Sequence, residues 1–446
     1  MKKLLLTTST ACFAILACQG AFAGNEHSRP NRGCWTMENL ELQKKNDPGL
    51  EARMEKIESD MLLWQQKNAG LPTTKAVVYI PVVVHVLWNV AAENLADQYI
   101  IGAIAALNKD FRKQNPDWTN INTMAPQWAN LAADCEIEFC LATVDPLGAA
   151  TTGITRTQTT RTEFAGGNEM KYTAQGGKDA WSNGKYLNLW SVDFGSSGLL
   201  GFATFPGGSS ALDGVVCEYK SMPGPPAFNP YDLGRTNTHE IGHWLNLYHT
   251  FQGGCAGMSS SNCTTGGDRV CDTPPISSST FGCPTNTNAN SCTEVSPFPP
   301  PFTSDQKNMW MNYMDYTDDA CMYMFTSGQK TRMVSCLNSS RVALLTSAAT
   351  NCATGTGINS IALEEYISAY PNPSTGEVFM NLNISDVSSA DITVFNSIGE
   401  AILSKKVTVP STKEIKLDLN SKPNGVYLVK IKTSEGTVTK KIVINK

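Results

Sequence analysis

The middle of the chain carries strand patterns interrupted by one helical pattern. Residues 77–86 are almost continuously apolar and rich in β-branched side chains, which is typical of a buried strand. Apolar residues at positions 100, 104, 107 and 111 then follow helical spacing. Three further segments have strand character: 137–141, 186–192 and 201–205. This order predicts an α+β domain in which helices pack behind a mixed, twisted sheet.

The region before this domain predicts a helix that needs a partner. Leu50, Met54, Ile57, Met61 and Trp64 are spaced four, three, four and three residues apart, so they share one helical face. We therefore expect this face to be buried against another surface of the protein.

The carboxyl-terminal region predicts a second, smaller domain. The small and polar residues 353–360 begin a linker, which we extend to residue 365. Alternating apolar and polar positions then indicate four short strands, at 378–382, 392–395, 415–419 and 426–431. Short strands separated by turn residues at this spacing predict a β-sandwich over residues 366–446.

The first residues indicate export from the cytoplasm. Lys2 and Lys3 precede an apolar stretch, and Ala21 and Ala23 flank Phe22, which is the pattern of a secretory signal peptide cleaved after Ala23. Lipidation of Cys18 is the alternative. No later stretch reaches the roughly 18 apolar residues of a membrane helix. The protein is expected to be secreted or attached to the cell surface.

Composition narrows the class of partner. The 446 residues include 35 Lys and Arg against 40 Asp and Glu, and the net charge of -5 argues against nucleic acid. Between residues 76 and 352 the net charge is -8, which suits cations and basic substrates. Of the 14 cysteines, 12 follow residue 23, and most of these should be paired in an oxidising compartment.

Three of the five histidines fall within eleven residues, and this cluster carries the predicted chemistry. His239 and His243 are four residues apart, so on a helix they present both imidazoles to one metal ion, with Glu240 beside them. For His249 to join them the helix must stop, and Asn246 is where it can. Three imidazoles with an open fourth position describe catalytic zinc, and Glu240 is then the general base for hydrolysis of a peptide bond.

Two alternatives apply to the histidines. The first alternative is that residues 239–249 belong to a buried amphipathic helix whose histidines bind no metal. His85 lies in the apolar strand and is expected to be a hydrogen-bonded core residue rather than a ligand. Elsewhere, Asp268, Asp272 and Thr273 lie in a glycine- and cysteine-rich loop and offer the hard oxygen ligands that Ca²⁺ prefers.

Two motifs resemble a known family. Residues 239–249 resemble the extended zinc signature of metzincin metalloproteases, and Asn312-Tyr313-Met314-Asp315-Tyr316 resembles their Met-turn. With the neighbouring Asp272-Thr273-Pro274-Pro275, residues 76–340 are similar to the pappalysin family, particularly its ulilysin-like bacterial members. The resemblance implies a metzincin (zincin) fold with two lobes around a substrate cleft.

The resemblance also implies roles for residues near the Met-turn. Met314 would form the apolar floor beneath the metal, and Tyr316 would stabilise the oxyanion of the transition state. Asp318 and Asp319 follow the Met-turn, where the ulilysin-like members have an acid at the base of the S1′ pocket. Asp319 is the candidate, and it would favour Arg or Lys after the scissile bond; a solvated acidic loop or a calcium ligand is the alternative. The family normally has glycine at the position of Asn246, because the turn needs a positive φ.

Cys34 stands alone ahead of the predicted amino-terminal helix. A thiolate is a good zinc ligand, so Cys34 is a candidate latency switch that fills the open position before activation, as in related metzincins. A disulfide to the catalytic domain is the alternative. Separately, residues 199–205 are a candidate edge strand for an extended substrate, with an ordinary core hairpin as the alternative.

The carboxyl-terminal region resembles the sorting domain of the type IX secretion pathway. The resemblance rests on Tyr370-Pro371-Asn372-Pro373, on 424–430 and on the closing 440–444, and it implies export through that machinery. A carbohydrate- or protein-binding sandwich is the alternative.

Together these observations predict a secreted zinc endopeptidase that acts on proteins or peptides and is made as a zymogen. The competing hypothesis is a surface adhesin on an inactive metzincin scaffold. The predicted parts of the chain are a signal peptide (1–23), a pro-segment (24–75), a catalytic domain (76–352), a linker (353–365) and the sorting β-sandwich (366–446).

Overall fold

A computed structural model describes residues 32–69, 77–224, 227–256, 262–347, 367–382, 389–396, 399–408, 414–433 and 436–446. The predicted signal peptide, the end of the predicted pro-segment and the predicted linker lie outside these described residues, as does Cys352.

The larger part of the molecule is built on a mixed sheet, in which seven strands are described. They are β1 (Gly33–Cys34), β2 (Val78–Trp88), β3 (Ile137–Leu141), β4 (Ile154–Gln158), β5 (Leu187–Val192), β6 (Leu199–Ala203) and β7 (Val215–Glu218). The order is β1-β6-β7-β5-β2-β3, and β4 continues beside β2 beyond β3. Strand β6 runs antiparallel to β7, while the other pairs, including β1 with β6, are parallel. The mixed sheet predicted from the apolar pattern is confirmed.

Six α-helices are described in this part. They are α1 (Thr36–Asn46), α2 (Leu50–Asn68), α3 (Asp97–Phe111), α4 (Ile121–Met124), α5 (Arg235–Trp244) and α6 (Ser327–Leu337). Helices α3 and α5 share one core with the sheet, in which Leu107 and Ile241 are completely buried. Burial of each such side chain stabilises the fold by about 1.5–3 kcal/mol. This core fixes the position of α5, the helix predicted to carry two of the histidines.

The amino-terminal segment, defined here as residues 32–69, contains two helices where the apolar pattern predicts only one. Helix α2 matches the prediction, because Leu50 and Met61 on its apolar face are buried. Helix α1 buries Thr36, Asn39 and Gln43 as well as Leu40. Polar side chains therefore make much of its contact surface, and a search for apolar periodicity does not detect it.

The carboxyl-terminal region forms two antiparallel sheets around its own core. The strands are β8 (Ile367–Tyr370), β9 (Glu377–Leu382), β10 (Ser389–Phe395), β11 (Ala401–Thr408), β12 (Glu414–Asp418), β13 (Gly425–Thr433) and β14 (Gly436–Ile444). One sheet has the order β12-β9-β8 and the other β11-β10-β13-β14. Val378, Ile392 and Val429 are fully buried between them. The predicted β-sandwich is confirmed.

Disulfide bonds cross-link the loops that follow α5. The described bonds join Cys255 to Cys292, Cys263 to Cys271 and Cys283 to Cys321, and Cys140 is also disulfide-bonded. The free cysteines among the described residues are Cys34, Cys135, Cys217 and Cys336, all buried. No described helix combines the length and the apolar character needed to cross a membrane.

Candidate active site

Helix α5 is fixed at its start by a residue distant in sequence and is followed at its end by a left-handed turn. At its start, Asp319 Oδ2 accepts hydrogen bonds from the backbone N–H groups of Leu233 (3.0 Å) and Arg235 (3.2 Å), which lack partners within the helix. At its end, Asn246 adopts φ +73°, and the chain turns back toward the helix. Asn tolerates this left-handed conformation better than most residues with a side chain. The predicted stop at Asn246 is confirmed.

The turn brings three imidazoles to one point. The Nε2 atoms of His239 and His243 are 3.2 Å apart, those of His239 and His249 3.3 Å, and those of His243 and His249 3.0 Å. All three side chains are buried. Burial lowers the pKa of each imidazole well below its usual value, to about 4 for His243, so the three rings are neutral.

The hydrogen bonds on the other ring nitrogens show which atoms face this point. His239 Nδ1 lies 2.7 Å from the Tyr313 carbonyl oxygen, and His243 Nδ1 lies 2.7 Å from that of Leu247. A carbonyl only accepts, so both Nδ1 atoms carry the proton and both Nε2 atoms present lone pairs. Converging lone pairs need a cation, and two nitrogens on one tetrahedral zinc ion lie about 3.4 Å apart. The donor set therefore fits zinc.

Cys34 completes the group. Its Sγ and the three Nε2 atoms all lie within 4.8 Å of one another. The thiol is not part of a disulfide, so the alternative of a disulfide to the catalytic domain is wrong. Burial, and then the nearby Glu240, raise the pKa of this thiol well above its usual value when no cation is present. A thiol and three neutral imidazoles form a four-donor set of a type that zinc accepts.

Glu240 follows His239 on α5, and its carboxyl group is hydrogen-bonded to the amino-terminal segment. Its Oε2 accepts a hydrogen bond from the Thr36 hydroxyl at 3.0 Å and lies 3.5 Å from Cys34 Sγ. Burial raises the pKa of this carboxyl to about 8. Strand β6 passes so closely that a Cβ at Gly201 would lie 2.8 Å from Glu240 Cγ. Glycine at that position leaves room for the carboxylate.

Met314 and Tyr316 pack around the same point. Met314 is fully buried beneath α5, where a Cβ at Gly242 would lie 2.5 Å from its sulfur. The Tyr316 ring centre lies 5.0 Å from that of His249 and 5.6 Å from that of His239. Its hydroxyl donates a long hydrogen bond, 3.5 Å, to the backbone carbonyl oxygen of Cys34. Both residues thus lie in the neighbourhood that the family resemblance implies.

Asp319 is completely buried and binds a guanidinium from the amino-terminal segment. Its Oδ1 accepts a hydrogen bond from Arg32, whose side chain is 2% exposed and lies over the Tyr231 ring. Burial raises the pKa of Asp319, although Arg32 and Arg235 oppose this shift. The alternative of a solvated acidic loop is wrong for this residue.

Sequence reasoning missed Arg32 and Thr36, which occupy the site from within the amino-terminal segment. Thr36 Oγ1 donates to Glu240 and accepts from the N–H of Ala203 at 2.8 Å, so it joins the candidate base to the edge strand. The one feature of the sequence that could have indicated a role for them is their position, two residues before and two after the predicted switch Cys34. Nothing in the spacing of Arg32 or Thr36 reveals a partner about 200 or more residues away.

The remaining candidates bind partners other than the three clustered histidines. Asp268 accepts hydrogen bonds from Thr273 Oγ1 and Val270 N, and Asp272 accepts from the side chain of Thr326 and the N–H of Gly328. The calcium site there stays a prediction. In a separate region, His85 is fully buried between Thr155 Oγ1 (2.7 Å) and Asn188 Oδ1 (3.1 Å), as expected for a core histidine.

Comparisons with known proteins identify both parts of the chain. Residues 171–338 match the pregnancy-associated plasma protein-A family of peptidases, and residues 368–445 match a secretion system C-terminal sorting domain. An extracellular metalloprotease of Neurospora crassa is 33% identical over 286 residues, which cover 61% of this chain and 79% of that protein. One of Sordaria macrospora is 41% identical over 173 residues, which cover 37% of this chain and about half (53%) of that protein.

Solved structures agree with this assignment. Promirolysin of Tannerella forsythia, in a mutant form, is 38% identical with a TM-score of 0.59, and the match covers 70% of this chain and 96% of that one. Mature mirolysin in complex with a cleaved peptide is 41% identical with a TM-score of 0.53, over 61% of this chain and 96% of that one. The chain therefore belongs to the pregnancy-associated plasma protein-A (pappalysin) family and is an exported metalloendopeptidase with a carboxyl-terminal sorting domain.

Proposed function

We propose that this chain is the zymogen of a zinc endopeptidase in which His239, His243 and His249 hold the metal and Glu240 is the general base. The observation that carries the proposal is the convergence of three neutral imidazoles within 3.3 Å of one another beside a buried carboxylate. Zinc held there would polarise the scissile carbonyl and activate water for attack. Two of the rings are kept in the required tautomer by backbone carbonyls.

The roles of the chain's own residues follow from their positions. Glu240 Oε2 would take a proton from the attacking water and deliver it to the leaving nitrogen. In the precursor, burial raises the pKa of this carboxyl to about 8, which favours uptake of a proton by Glu240. The Tyr316 hydroxyl would donate a hydrogen bond to the developing oxyanion. Met314 would support the metal site from below without touching the reacting atoms.

The edge strand β6 is the proposed platform for an extended polypeptide. It carries β1 as an added parallel strand, with Gly33 opposite Leu199 and Cys34 opposite Gly201. Trp35 N donates to the Gly201 carbonyl at 3.0 Å. Backbone hydrogen bonds of this kind hold a strand whatever its sequence.

Asp319 is the proposed determinant of a preference for Arg or Lys immediately after the scissile bond. The guanidinium of Arg32 reaches this carboxylate from the strand lying along β6, which supports a pocket that accepts a long basic side chain. The net charge of -8 between residues 76 and 352 favours the same substrates.

Latency is proposed to rest on Cys34 together with Arg32 and Thr36. Cys34 would supply the fourth ligand, and Thr36 already holds the Glu240 carboxylate. Arg32 lies in the proposed S1′ pocket but precedes Cys34, whereas the residue in S1′ of a substrate follows the scissile bond. The segment would therefore run opposite to a substrate and present no peptide bond in the cleavable direction.

The proposed organisation of the precursor remains the predicted one. Removal of the pro-segment (24–75) would expose the cleft of the catalytic domain (76–352), and the sorting domain (366–446) would engage the type IX secretion machinery. The promirolysin structure matches 70% of this chain and the mature form 61%, which supports a pro-segment of this kind. Protein or peptide chains are the proposed substrates.

Calcium binding by Asp268, Asp272 and Thr273 is proposed as a structural function of the disulfide-rich loop. Both aspartate side chains are buried, and a bound cation would offset the free-energy cost of burying their negative charges. The test is the thermal midpoint of unfolding with and without added Ca²⁺. A Ca²⁺-dependent rise in the wild type that is absent in Asp268→Asn supports the site, and an equal response in both contradicts it.

One experiment tests the main proposal. The precursor is activated by limited proteolysis and incubated with denatured casein, and the new amino termini are sequenced. We expect cuts before Arg and Lys, and loss of cleavage on chelation and in Glu240→Ala with the fold retained. Cuts before apolar residues would contradict the role of Asp319. Undiminished cleavage in Glu240→Ala would contradict the general base, and no cleavage under any condition would favour an inactive adhesin.

A further inference from the structure

A further polar contact joins the amino-terminal segment to the catalytic domain, at the Asn246 turn that leads to His249. The Glu58 side chain on α2 is 13% exposed and meets three donors of the catalytic domain. Arg332 contacts both carboxylate oxygens, Arg269 Nη1 lies 3.0 Å from Oε1, and Asn246 Nδ2 donates to Oε1 at 2.9 Å.

Contacts within the catalytic domain hold two of these donors in place independently of Glu58. Arg332 is 4% exposed, and its Nε donates to the backbone carbonyl of Asn246 at 2.7 Å. The guanidinium groups of Arg332 and Arg269 lie 5.5 Å and 5.2 Å from the centre of the Tyr248 ring. Two positive charges over one aromatic ring form a preorganised site for a carboxylate, with Arg332 placed to contact both of its oxygens.

The other polar contacts of α2 with the catalytic domain that are described are weaker in kind. Arg53 Nε donates to the Gly207 carbonyl at 2.8 Å, and Gln65 Nε2 donates to Ser335 Oγ at 3.0 Å. Each is a single hydrogen bond to a neutral acceptor, and only that of Arg53 involves a charged group. The contact at Glu58 pairs a carboxylate with two guanidinium groups and an amide, and the two-oxygen contact of Arg332 adds energy and geometric specificity.

The identity of residue 246 gains a second explanation from this contact. The backbone conformation there, φ +73°, costs glycine nothing and costs asparagine something. Only the side chain of asparagine reaches Glu58, and it also lies 3.1 Å from Met61 Sδ. The residue that shapes the His249 turn therefore also contacts the amino-terminal segment.

We propose that Arg269, Arg332 and Asn246 form a carboxylate-binding site of the catalytic domain, and that Glu58 of the amino-terminal segment is its occupant in the precursor. This site anchors α2 independently of Cys34 and of the metal. It rests on the proposed function only in treating residues 24–75 as a removable pro-segment. Loss of Glu58 releases α2 while the strand at Cys34 stays in the cleft.

The test uses the full chain in a Glu240→Ala background, which removes self-cleavage, so the result does not depend on protease activity. Amide hydrogen exchange is measured over residues 50–68 in Glu58→Gln and in Glu55→Gln. Glu55 is an exposed residue of the same helix and provides the same charge change as a control. We expect exchange in α2 to rise at least tenfold in Glu58→Gln and to stay unchanged in Glu55→Gln.

A second pair of measurements guards against misfolding. Exchange over β2 must match that of the Glu240→Ala parent. Arg269→Gln, on the other side of the contact, must also loosen α2, but by less than Glu58→Gln, because Arg332 still contacts both carboxylate oxygens. Asn246→Gly should give a smaller increase still, because it removes the neutral partner and keeps both guanidinium groups and the turn. Unchanged protection of α2 in both Glu58→Gln and Arg269→Gln would overturn the proposal. Equal loosening in Glu55→Gln would also overturn it, since the effect would then be one of helix charge alone.

Discussion

The ion pair between Arg32 and Asp319 allows a quantitative test of how the amino-terminal segment blocks the cleft. The two side chains are 2% and 0% exposed. Arg32→Gln leaves the Asp319 carboxylate without its counter-charge while the segment stays docked. Arg235 does not replace it, since its guanidinium is paired with Asp110 and Asp117.

The cost follows from the burial of the pair. Removing one partner of a buried ion pair costs about 3–5 kcal/mol. The lower value applies here, because Asp319 keeps its hydrogen bonds from the N–H groups of Leu233 and Arg235. Since 1.4 kcal/mol is a factor of ten, a cost of about 3 kcal/mol weakens docking of the segment by about 100-fold.

The assay is the residual activity of freshly purified zymogen on a quenched fluorescent peptide, before any activation cut. We expect a marked rise in Arg32→Gln and a smaller one in Arg32→Lys, which keeps the charge and loses the planar fork. Lys45→Gln is the control, because Lys45 lies in the same segment and is exposed. The activated enzymes share one sequence and must have equal activity. If Arg32→Gln is as latent as Lys45→Gln, the ion pair does not hold the segment in the cleft.

Three further predictions concern single side chains. Thr36→Val removes the hydroxyl on Glu240 and should raise zymogen activity severalfold, while Thr36→Ser should retain latency; equal latency in both would exclude the hydroxyl as a lock. Asn246→Val opposes the positive φ by at least about 1–2 kcal/mol and should lose zinc in a metal assay, whereas Asn246→Gly should keep it; full retention by the valine variant would contradict the turn argument. Burial raises the pKa of Glu218 from 4.5 to about 7, so the folded state holds a proton that the unfolded chain has released. The free energy of unfolding should therefore decrease as the pH rises from about 4.5 to 7, by up to about 1.4 kcal/mol per pH unit. Glu218→Gln should make the thermal midpoint of unfolding less dependent on pH over that range, and an unchanged dependence would contradict the shift.

Local patterns were enough for much of the fold. The apolar run at 77–86 and the alternation at 137–141 predicted β2 and β3, because burial of a strand requires those side chains in that order. Strand β6 begins two residues earlier than the predicted 201–205, because Leu199 pairs with Gly33 of β1, and it ends at Ala203, the last residue that pairs with β7. Helix α1 was missed because its buried face is largely polar.

The geometry of the three histidines could also be predicted from local sequence. Spacing alone placed His239 and His243 on one helical turn, because the period of the helix is a local property of the backbone. The need for His249 to join them predicted a left-handed turn at Asn246, and φ there is +73°. These residues are close in sequence, so their geometry follows from a few backbone angles.

What only the tertiary structure decided are the contacts that close the cleft. Arg32 and Asp319 are separated by 287 positions, and Thr36 and Glu240 by 204. No periodicity relates such pairs, because their approach depends on how the strand at Gly33–Cys34 adds to the sheet edge and on how the Met-turn folds under α5. The sequence by itself determined the chemistry of the site, since ligand types and helical spacing are local. The packing of distant elements determined which side chains occupy it.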